Sequence, residues 1–100
     1  MSYDIVWSYE VDVDATEAFE LAYGPAGEWA RLFARAEGFI EVMLLADSAD
    51  PRRYLTVDRW RDEASFESFM AANHDAYAAL DDALAGVSRR GTRIGAFMER

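Results

Sequence analysis

The chain has 100 residues, 52% of them hydrophobic and 14% aromatic, with a formal net charge of -9 and no cysteine. That describes one packed domain, small enough that association would add usefully to its burial. The acidity argues against nucleic acid and anionic membranes as partners, since the basic residues are all arginine and scattered apart from Arg52-Arg53 and Arg89-Arg90. The missing cysteines exclude disulfides, thiolate nucleophiles and cysteine-ligated metals.

The N-terminus has no basic region leading into a long apolar run, and no window approaches the roughly 18 apolar residues of a membrane span. A cytoplasmic protein is therefore expected. Residues Tyr3 to Val13 alternate, with Tyr3, Ile5, Trp7, Tyr9, Val11 and Val13 on one face, which predicts a half-buried strand. Asp14 then stands as a helix N-cap, with Glu17 three residues on to complete a capping box. Tyr23-Gly24-Pro25 breaks the helix that follows, and Pro25 suits the opening of a second segment carrying Trp29, Leu32, Phe33 and Ala36 and ending near Gly38. Phe39 to Leu45, apolar except for Glu41, predicts a strand buried on both faces.

The cluster Asp47-Ser48-Ala49-Asp50-Pro51 is too short for a crossover, so the strand Tyr54 to Trp60 forms a hairpin with the one before it. Asp62 caps a long helix whose apolar stripe is Phe66, Phe69, Met70, Tyr77, Leu80 and Leu84. After Gly86, Arg89 to Met98 supplies a last strand. The order β-α-β-β-α-β predicts an α+β fold, the ferredoxin-like plait, with a four-stranded antiparallel sheet and both helices on one face. Val6, Leu55, Val57 and Phe97 then lie on a second apolar face, for which a homodimer packed sheet to sheet is the expected cover.

In three places the residues resemble a known family. Asp58-Arg59-Trp60 runs into the helix start Asp62-Glu63-Ala64-Ser65-Phe66; Tyr23-Gly24-Pro25 is followed by Trp29 and Phe33; and the chain closes on Ile94-Gly95-Ala96-Phe97. Over nearly its whole length the chain is similar to antibiotic biosynthesis monooxygenase domains, whose members form dimeric α+β barrels. The resemblance implies oxidation of aromatic metabolites by O2 without metal or flavin, with quinol oxidation and haem degradation as other activities in the family. The asparagine and the Trp/His pair of the haem-degrading branch are matched here only by His74, with Phe69 near the tryptophan position, so no haem turnover is expected. Compared with the anthrone-oxidising branch, Trp60 is kept, while Thr56 and Phe66 replace an asparagine and a tyrosine.

Histidine is the side chain that titrates nearest neutrality, which makes His74 the candidate general base. Tyr77, three residues on, can share its helix face and donate to a developing oxyanion. Trp7, Tyr9, Trp29, Phe33, Trp60 and Phe69 are candidates to surround a cleft for a flat aromatic ligand, and the break at Tyr23 to form its mouth. One histidine without cysteines cannot furnish a typical metal shell, and no dinucleotide or phosphate-cradling motif occurs, so neither metal nor cofactor is expected. The expected function is cofactor-independent oxidation of a small phenolic, quinol- or polyketide-like metabolite. The alternatives are a non-catalytic binding or stress-responsive barrel, and an isomerase or cyclase using the same groups.

Overall fold

The computed structural model describes residues 1–87 and 90–100. Strands β1 (Tyr3–Glu10), β2 (Phe39–Ala46), β3 (Arg53–Trp60) and β4 (Gly91–Met98) form one antiparallel sheet in the order β2-β3-β1-β4. Helices α1 (Thr16–Tyr23), α2 (Glu28–Phe33) and α3 (Glu63–Ala83) complete the β-α-β-β-α-β order, the first crossover helix being split in two. This is the ferredoxin-like plait that the element order predicts.

Period-two alternation sorts each strand into a face toward the helices and an open face. Ile5, Val42, Tyr54, Thr56 and Trp60 are buried toward the helices, where they meet Phe19, Tyr23, Trp29, Leu32, Phe33 and Phe69. Trp60 and Phe19 are fully covered. Trp60 lies within 5.3 to 5.5 Å, ring centre to ring centre, of Phe33, Phe39, Phe66 and Phe69, so the core at this end is a cluster of aromatic rings.

Several local expectations need correction. The first strand stops at Glu10; Val11 is buried, but Val13 is exposed and opens a 3-10 turn, Val13–Ala15. No side chain caps that turn or α1, so Asp14 and Glu17 form no capping box. Instead the Ala15 amide donates to the Asp12 carbonyl at 2.8 Å, a backbone solution to the same unpaired donors. Pro25 does break the helix but does not start the next, which begins at Glu28 after Gly27. A side chain at Gly27 would sit 2.4 Å from the Ala22 carbonyl oxygen, so the tight turn requires glycine there. Strand β2 is covered on one side only: Val42 is buried, while Ile40, Met43 and Leu45 are exposed, because every helix lies on the same face of the sheet. The expected start of the last strand at Arg89 lies outside the described residues.

The Asp62 cap of α3 is present, its carboxylate accepting from the Ser65 amide at 2.8 Å. Asn73 interrupts α3 with φ -125° and ψ 23°. Its amide nitrogen donates to the Phe69 carbonyl at 3.1 Å, so the side chain competes with the backbone for the turn that it breaks. No helix among the described residues is long and apolar enough to cross a membrane.

Candidate active site

Between the sheet and the far half of α3 lies a cavity of about 440 Å³. The strands provide its floor: Trp7 from β1, Val42 from β2, and Thr56 and Asp58 from β3. Their positions follow from register, since Trp7 pairs with Thr56, and Asp58 lies between Ile5 on one side and Val42 on the other. The α1/α2 break delivers Tyr23 and Trp29, and α3 delivers Tyr77, Asp81 and Asp82 at the exposed rim.

The aromatic lining is continuous. Ring centres run from Trp7 to Tyr9 at 6.1 Å, Tyr9 to Tyr23 at 5.2 Å, Tyr23 to Trp29 at 6.2 Å and Trp29 to Tyr77 at 4.9 Å. Such a wall presents π faces to any flat guest. Burial, with the nearby carboxylates of Asp58 and Asp81 adding to it, holds the Tyr77 hydroxyl up at about 12, and the Tyr9 hydroxyl is raised further still by burial and by Tyr23 and Asp58. Both phenols therefore remain proton donors across the physiological range.

Asp58 is the group that sequence reasoning missed as a site residue. Burial pushes its carboxyl up to about 7, and no hydrogen bond or ion pair reaches it among the described residues. An ionisable group that titrates near neutrality, faces a cavity and lacks a partner is a candidate for proton transfer. The signal was present: Asp58 alternates with Tyr54, Thr56 and Trp60 on the buried face of β3, where a carboxylate has no structural reason to be.

The structure brings together four of the seven expected site residues, Trp7, Tyr23, Trp29 and Tyr77, and adds Tyr9 and Phe33 from the wider aromatic set. Three lie elsewhere. Trp60 and Phe69 do not line the cavity, being locked in the core against Phe33. His74 is on the solvent side of α3, its side chain 79% exposed and 3.5 Å from the Asp75 carboxylate. It follows directly on the irregular Asn73, and the expected His74–Tyr77 pair does not form in the cavity.

Comparison with solved structures finds the same architecture in several proteins. A variant of SnoaB, a cofactor-independent oxygenase from Streptomyces nogalater, superposes with a TM-score of 0.80 at 24% identity, covering 99% of this chain and 93% of that one. The ActVA-Orf6 monooxygenase of Streptomyces coelicolor, solved in complex with nanaomycin D, gives 0.74 at 19% identity over 99% and 88%. A conserved protein from Methanosarcina mazei gives 0.70 at 13% over 100% and 94%. At these identities the likeness is one of fold. No curated protein matches the chain. The sequence profile described as antibiotic biosynthesis monooxygenase matches residues 3–79, which span β1 through most of α3 and carry every cavity residue named above except Asp81 and Asp82. The chain belongs to the antibiotic biosynthesis monooxygenase family.

Proposed function

We propose that the protein is a cofactor-independent monooxygenase that oxidises a small phenolic or quinol-like metabolite with O2, acting as a homodimer in the cytoplasm. The observation that carries this reading is the unpartnered Asp58 carboxyl on the floor of an aromatic cavity. Family membership and the fold shared with two oxygenases support it.

In this reading Asp58, and not His74, is the base. Its carboxylate takes the proton from the substrate hydroxyl; the O–H bond breaks and the carboxyl O–H forms. The resulting phenolate passes one electron to O2, and the substrate radical and superoxide combine to form a C–O bond, leaving a peroxide anion. As the O–O bond breaks, the proton returned from Asp58 and the C–H proton both go to the departing oxygen, which releases water and leaves a carbonyl. A carboxyl held near neutrality suits both directions of transfer. Tyr77 and Tyr9 stay protonated and supply donors to the developing oxyanion. The aromatic wall orients the ring and excludes water.

The test is oxygen uptake with a panel of quinols and anthrones. Asp58→Asn is expected to lower the rate about 100-fold or more, the usual loss of a positioned base, and His74→Ala to change it less than about twofold. Uptake insensitive to Asp58→Asn would reject the assignment, and uptake abolished by His74→Ala would restore the histidine. Binding of panel members without any oxygen uptake would favour a non-catalytic ligand-binding barrel.

A further inference from the structure

The same cavity has a charge pattern that a neutral phenol does not use. Two further carboxylates, Asp81 and Asp82, stand at its rim beside Tyr77, and no basic side chain is among its described lining residues. Arg93, paired with Trp7 across the strands, acts on Tyr77 in the opposite sense to those carboxylates but does not line the cavity. The rim acids also sit in the final turn of α3, which has no basic residue. Negative charge there faces the negative end of the helix dipole, so helix stability does not account for it.

Aromatic faces ringed by carboxylates have a known complement. A cationic group over an aromatic face is attracted by the ring quadrupole, the more so when partly desolvated, and a carboxylate alongside neutralises its charge. We propose that the substrate of this site carries a basic amine, held as an ammonium at the rim between Asp81, Asp82 and the rings of Tyr23, Trp29 and Tyr77, with its hydroxyl directed to Asp58 on the floor. This rests on the cavity being the substrate site. The buried Asp58 is the second, independent sign that a ligand belongs here, because its carboxyl lines the cavity with no hydrogen bond or ion pair among the described residues. An anionic substrate meets three carboxylates and is refused.

The experiment uses three naphthols that differ only in one arm: 2-aminoethyl, ethyl or carboxyethyl. Binding is followed by quenching of tryptophan fluorescence, since Trp7 and Trp29 face the cavity. The ammonium probe is expected to bind roughly tenfold tighter than the ethyl probe, and the carboxylate probe roughly tenfold weaker than the ethyl one. The double substitution Asp81→Asn, Asp82→Asn should reduce the preference for the ammonium over the ethyl probe to about twofold, and added salt should weaken only the ammonium probe. Equal binding of the ammonium and ethyl probes, or tighter binding of the carboxylate, overturns the proposal and leaves the cavity as the substrate site. Failure of all three probes to bind overturns both.

Discussion

Asp58, the proposed base, sits where its charge works against the fold that holds it. Its carboxyl titrates at about 7 in the folded chain against 3.8 as an unperturbed aspartate. Between those values the native state binds the extra proton, so stability contributed by the protonated group is lost as pH rises through that window, and the deficit is complete above about pH 7. At about 1.4 kcal/mol per unit the deficit is on the order of 4 kcal/mol. Asp58→Asn should therefore raise the denaturant midpoint strongly at pH 8 and barely at pH 4, even as it lowers the expected oxygen uptake. A gain of equal size at both values would show that Asp58 is solvated. The residue is legible in the sequence by alternation alone, whereas the placement of His74 is not. Whether a helical residue faces a cavity depends on helix phase, and the irregular backbone at Asn73, one residue before His74, prevents phase from being carried across from Phe69.

The same irregularity makes α3 two elements. Its first part is pinned by Phe69, fully inside the core, and by Phe66 against Trp60. Its second part, through Tyr77 and Leu80, is only partly buried before Leu84 closes it. Opening of the second part alone exposes less apolar surface, so it requires less free energy than global unfolding. Hydrogen exchange should report lower protection for amides 77–83 than for amides 67–72, and a cavity ligand should slow exchange in the first set selectively. Uniform protection along the helix would contradict this. Element types and order were legible because strand and helix periods are long-range patterns, and the Asp62 cap was legible because its partner is three residues away. The missing Asp14 cap and the delayed start of α2 depend on backbone hydrogen bonds, and the kink on one side-chain bond from Asn73 to the Phe69 carbonyl, and these leave little mark on composition.

At the scale of the molecule, the helices cover one side of the sheet, leaving Met43, Leu45 and Phe97 exposed and Val6, Leu55 and Val57 half-covered on the other. An apolar face of this extent calls for a second copy. The natural chain should sediment at twice its mass at micromolar concentration, and Val57→Asp, in the middle of the face, should sediment as a single chain. A natural chain that stays monomeric there would reject the homodimer. At one end of that face Arg59 is shared among Asp4, Glu41 and Glu99 at 3.4, 3.1 and 3.6 Å, one guanidinium among three carboxylates. The border of the face thus keeps an excess of negative charge, on a chain that already carries -9. Two such borders repel across water, and dissolved ions screen that repulsion within about 10 Å at 0.1 M. Ionic strength should therefore act with opposite signs on the two surfaces of one sheet: a dimer joined on the open side is expected to tighten with added salt, and an ammonium bound on the other side to loosen.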